Sequence, residues 1–81
     1  MNKKEFNNIL CKRITALRLE NNLTIEKLAY QSDISKGGLS EIERGKKSPM
    51  PFTILKICSE LGITMKDFFN YKDIDNFQNK I

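Results

Sequence analysis

The chain has 81 residues, room for one domain with a small core. Apolar residues make up 40% and charged residues 30%, and the net charge of +4 favours an anionic partner without establishing one. No apolar run approaches the ~20 residues of a membrane span, residues 1–8 lack the apolar stretch of a secretory signal, and no histidine is present.

A cytoplasmic protein without a membrane partner is therefore expected. Cys11 and Cys58 stand far apart with no C-x-x-C. No metal site or cofactor is predicted, and buried thiols are the simpler reading of both cysteines. No Gly-rich phosphate loop or nucleophile–base pair is visible, so the chain does not read as an enzyme.

The two prolines, Pro49 and Pro51, lie close together, and strand-like alternation is absent. The pattern predicts an all-α fold of five helices, with a short C-terminal helix possible. The first runs from about Lys4 to Asn21, with Phe6, Ile9, Leu10, Ile14 and Leu17 on one face. Asn21-Asn22 ends it, because asparagine tolerates the left-handed stop of a helix.

Three helix starts share one device. Thr24, Ser35 and Thr64 are side-chain caps. Each is flanked by an apolar pair that staples the first turn: Leu23 with Leu28, Ile34 with Leu39, and Ile63 with Phe68. The helix from Lys36 stops at Gly45. The fourth starts near Pro51, carries Ile54, Leu55, Ile57, Cys58 and Leu61, and stops at Gly62. The fifth is short and carries Phe68 and Phe69. Beyond it, Tyr71, Ile74, Phe77 and Ile81 fall at helical spacing. That segment is either a frayed polar tail or an amphipathic helix covering the domain or a second copy of it. Residues 1–5 are thus set apart as an N-terminal extension, 6–70 as the domain, and 71–81 as a tail or dimerisation segment.

The helix from Lys36 is the most informative. Leu39 and Ile42 point inward, while Lys36, Gly37, Ser40, Glu41 and Arg44 point elsewhere. Adjacent glycines cost ~1 kcal/mol each in a helix interior. In a first turn they either let the backbone sit close to a groove wall or simply make a weak start. Lys36 suits guanine O6 or N7, or else a phosphate or plain solvent. Glu41 suits cytosine N4, or a pairing within the chain. Ser35 and Ser40 reach for a phosphate or a base edge. Arg44, Lys46 and Lys47 follow at once, either neutralising phosphates or lying in a solvated loop. The helix starts at Thr24 and Pro51 aim backbone N–H groups where phosphates would lie.

The stretch from about Ile14 to Phe69 resembles the Xre family, the phage repressor and Cro type of helix-turn-helix. The markers include Leu28-Ala29, Ile42-Glu43-Arg44-Gly45, Pro49, Lys56-Ile57 and Leu61-Gly62. The resemblance implies a five-helix lambda-repressor-like domain that binds double-stranded operator DNA as a homodimer and regulates transcription. It implies base reading by Ser35, Lys36, Gly37, Ser40 and Glu41, and backbone contacts from Arg44, Lys46 and Lys47, with Thr24 beside them. It also implies an ion pair between Arg18 and Glu43. Dimerisation, on the family likeness and the tail pattern, falls to Phe69, Tyr71, Ile74 and Phe77. The length suits a small phage-type repressor, a restriction–modification controller protein or an antitoxin. In the antitoxin reading the tail would meet a protein partner such as a toxin. One departure is Ile25, where many relatives carry a glutamine that contacts phosphate; it either touches sugar or a thymine methyl, or packs locally.

Overall fold

The computed structural model describes residues 2–80. Those residues form six helices and no strand: α1 (Lys3–Glu20), α2 (Ile25–Gln31), α3 (Lys36–Glu43), α4 (Pro51–Leu61), α5 (Met65–Phe69) and α6 (Lys72–Gln78).

The helix ends follow from local chemistry. Thr24 and Ser35 each accept a bond at 3.0 Å from the backbone N–H three residues on. At α5 the cap is reciprocal: Asp67 N donates to Thr64 Oγ1 at 3.0 Å, and Thr64 N donates to Asp67 Oδ2 at 3.1 Å. That backbone donor holds the Asp67 carboxyl below the usual carboxylate range, with the Thr64 hydroxyl adding to the effect. A fourth cap lies outside the expected set. Asn2 Oδ1 accepts from Lys4 N at 2.9 Å, so α1 starts at Lys3 and takes in residues set apart above as an extension.

Four helices stop by one device. At the ends of α1, α2, α3 and α4 a residue turns left-handed: Asn22 at φ 55°, Asp33 at 55°, Gly45 at 77° and Gly62 at 71°. In each case the next N–H closes back onto the last turn. Leu23 N donates to Arg18 O, Ile34 N to Ala29 O, Lys46 N to Glu41 O, and Ile63 N to Cys58 O, at 2.9–3.1 Å.

The core is built on the inner stripe of α1, where Leu10, Cys11, Ile14 and Leu17 are buried. Leu28, Leu39, Ile54, Ile57 and Phe68 close over it from the other helices. Burial raises both thiols, Cys11 and Cys58, above their ordinary pKa. Leu55, expected on the inner face of α4, is 47% exposed. Ile54, Ile57, Cys58 and Leu61 share one stripe at helical spacing, and position 55 falls off its edge.

The tail is helical and lies on its own domain. Phe77 is 8% exposed, with its ring centroid 5.5 Å from that of Phe6. Lys80 Nζ stands 3.4 Å from Glu5 Oε1. Arg13 fastens the approach: its Nε donates to Phe68 O and its Nη2 to Asp67 O, both at 2.9 Å, and its guanidinium lies 4.8 Å from the Tyr71 ring centroid. Ile74 is partly buried against the core. Phe77 and Ile74, expected to meet a second copy, therefore face their own chain, because Phe6 offers an apolar partner close by. Ile81 lies outside the described residues. Phe77→Ala is expected to cost the fold about 2 kcal/mol, below the usual toll for a central Phe because the site is peripheral. A shift in the urea midpoint reads it, and an unchanged midpoint would mean that α6 is not docked in solution.

Candidate nucleic-acid interface

Helices α2 and α3 are joined by residues 32–35. The bend is made at Asp33, whose left-handed backbone ends α2. Lys56 Nζ donates to Asp33 O at 3.0 Å and ties the bend to α4. Nothing in the sequence around Asp33 marks the bend, although aspartate is among the few residues that tolerate this geometry.

Past the bend, Ser35 caps α3. Its oxygen is taken up by Gly38 N, and its proton remains to be donated to a phosphate or base acceptor. The two glycines have separate explanations. A Cβ at Gly38 would lie 2.8 Å from Ser35 Oγ, so the cap itself needs the missing side chain. A Cβ at Gly37 would meet nothing within 4 Å, so the fold makes no such demand there. Leu39 and Ile42 are buried. Lys36 and Arg44 are exposed, and Ser40 and Glu41 are half-buried.

The candidate site residues fall along this polar side of α3 and the loop after it. Lys36 Nζ lies 3.6 Å from Glu26 Oε1, and Lys47 Nζ lies 3.9 Å from Glu41 Oε1. Glu41 thus has the intramolecular partner that the sequence left open. Glu26 was not foreseen, since nothing in the spacing of two charges on different helices announces their meeting.

The basic loop is held from behind by α1. Asn7 Nδ2 donates to Ser48 Oγ at 2.7 Å, and Cys11 Sγ lies 3.8 Å from Lys47 O. Gly45 turns left-handed at φ 77°, which favours glycine, and a Cβ there would lie 3.0 Å from Asn8 Oδ1, a side-chain end that would have to give way. Arg44, Lys46 and Lys47 are all exposed on this anchored loop.

Thr24 is exposed at the start of α2, its oxygen capping Lys27 N. Ile25 packs against the core rather than projecting outward. Helix α4 begins with Pro51 and has no side-chain cap.

Helix α3 is keyed to α1 by charge. Arg18 Nε lies 2.9 Å from Glu43 Oε2, with side chains only 13% and 5% exposed. Thr15 Oγ1 adds a bond to Glu43 Oε1 at 2.9 Å, and Arg18 Nη1 donates to Leu23 O at 2.7 Å. Four groups thus fix the angle at which α3 leaves the core.

Two capped helices meeting at a rigid bend, the second presenting a polar face beside a basic loop, define a helix-turn-helix domain. Residues 14–68 match the helix-turn-helix family. Control protein C.BamHI of Bacillus amyloliquefaciens is 33% identical over 69 residues, covering 84% of this chain and 85% of that protein. The transcriptional repressor RghR of Bacillus subtilis is 44% identical over 52 residues, 63% of this chain and 38% of RghR. Among solved structures, the wild-type restriction–modification controller protein C.Esp1396I superposes with a TM-score of 0.74 at 28% identity, over 79% of this chain and 82% of that one. The chain belongs to the helix-turn-helix family of DNA-binding transcriptional regulators, of the Xre type, and that family is not one of enzymes.

Proposed function

We propose that the protein is a sequence-specific transcriptional regulator of the cytoplasm that binds a palindromic operator as a homodimer, with residues 36–44 in the major groove. The observation that carries this reading is the sided character of α3. Its apolar side is buried, and its polar side opens next to the anchored Arg44–Lys47 loop. Lys36, Gly37, Ser35, Ser40 and Glu41 then read base edges. Thr24, Arg44, Lys46 and Lys47 hold the phosphates, which set register but carry no sequence information. Phe69 and Tyr71 retain exposed surface for a second copy, whereas Ile74 and Phe77 are engaged within the chain. Half-sites should lie about 10 base pairs apart, one turn of DNA. Similarity to C.BamHI across most of both chains favours a controller-type role.

The test is titration against the promoter fragment upstream of the protein's own coding sequence and against a scrambled fragment, at two salt concentrations. Preferential binding that persists at the higher salt supports specific readout and autoregulation. Equal, salt-sensitive binding to both would reduce the site to a basic surface.

Two substitutions divide the roles. Lys36→Ala should weaken operator binding by roughly tenfold or more, the loss of a base contact worth about 1–3 kcal/mol, and spare random DNA. Lys47→Ala should weaken both and reduce the salt slope by about one unit. Equal losses from both changes would sink the assignment.

A further inference from the structure

The DNA face carries acids as well as bases. Glu26, on the first turn of α2, stands against Lys36, with both side chains well exposed at 71% and 66%. An ion pair so open to water adds little to folding. Its consequence concerns whatever approaches that face.

We infer that Glu26 is a specificity-determining residue, which holds the Lys36 ammonium at the helix pair and repels phosphate, so that random DNA is penalised more than the operator. The inference rests on the DNA-binding reading above. Binding to random DNA is dominated by lysine and arginine replacing counterions at phosphates. A lysine already beside a carboxylate gains less from a phosphate, and the carboxylate adds a repulsion that no base sequence relieves. At a matching site the balance differs. Guanine O6 and N7 compensate Lys36 for leaving Glu26, and a cytosine N4 amine offers the carboxylate a donor of its own. The penalty is thus uniform over random DNA and is offset only where the base edge fits. Glu41, within α3, and Lys47, in the loop after it, form a pair of the same kind.

Glu26→Gln keeps the size and removes the charge. It is to be compared with the unsubstituted protein on a random duplex and on the best duplex selected from a random pool, across a range of salt concentrations. The random duplex should bind roughly threefold tighter or more at low salt, with a salt slope steeper by about one unit. The selected duplex should gain less, so the specificity ratio falls. In a Lys36→Met background the gain should shrink, because no ammonium remains to be released. Glu60→Gln makes the same charge change on the last turn of α4 and should leave the ratio unchanged.

An unchanged affinity for random DNA, or an equal gain on both duplexes that Lys36→Met does not alter, overturns the role of Glu26 alone. An unsubstituted protein that binds no duplex at low salt overturns the DNA-binding reading, and this inference with it.

Discussion

Glu43→Ala should destabilise the domain by about 3–5 kcal/mol, against a total of only ~5–15 kcal/mol for a protein of ordinary stability. The magnitude follows from what is left behind. Arg18 is only 13% exposed, and two of its guanidinium nitrogens bond Glu43 at 2.9–3.1 Å. Without the carboxylate a mostly buried cation keeps only Leu23 O, and the Thr15 hydroxyl loses its acceptor on α3. Urea denaturation reads the loss directly. Replacing both partners, Arg18→Met with Glu43→Leu, should recover much of it, because a buried pair replaced by apolar groups is often neutral. A loss under ~1 kcal/mol for Glu43→Ala would mean that the pair behaves as a surface pair. Since this pair joins α3 to α1, operator binding should fall with the same substitution even where the fold survives.

The parts of this architecture written locally were legible in the sequence. Thr24, Ser35 and Thr64 announce helix starts because a cap and its staple lie within five residues of each other. Gly45 and Gly62 announce stops for the same local reason. Asp33 did not, although it makes the bend that gives the fold its class. Aspartate is common in exposed loops, and its left-handed turn shows only in the backbone. Asn2 likewise went unread as a cap, because a lone asparagine near the chain start has no staple to mark it.

What depends on distant partners was less visible. The periodicity of Tyr71, Ile74 and Phe77 established an apolar face but not what covers it. Covering by Phe6, about seventy positions earlier, is a tertiary outcome. Leu55 read as core because its hydrophobicity matches its neighbours, and only its angle on α4 puts it outside. The charges of the candidate interface were named one by one from the sequence, but their pairing across helices was not. Glu26 sits on α2 and Lys36 on α3, so their contact depends on the bend at Asp33.

Gly37→Ala should move stability and DNA binding in opposite directions. Gly37 lies in the first turn of α3, and a methyl group there meets nothing within 4 Å. The fold therefore accepts alanine without strain. It gains up to about 1 kcal/mol from the smaller backbone entropy lost on folding. A solvent-facing residue with no packing partner has no structural reason to be glycine. A DNA groove supplies one: a backbone that approaches the groove wall leaves no room for a Cβ, and overpacking such a contact costs about 1–3 kcal/mol. Operator affinity should then fall by roughly tenfold while the thermal midpoint rises. Gly38→Ala is the internal contrast. Its Cβ would press on Ser35 Oγ at 2.8 Å, so the serine must turn away, with loss of a cap worth about 1 kcal/mol. The lost cap should cancel the same entropic gain at position 38, so Gly38→Ala should leave the thermal midpoint little changed, and only Gly37→Ala should lose affinity while gaining stability. If Gly37→Ala stabilises the protein and binds operator as tightly as before, the glycine is no more than a weak helix start, and α3 does not seat its first turn against the groove.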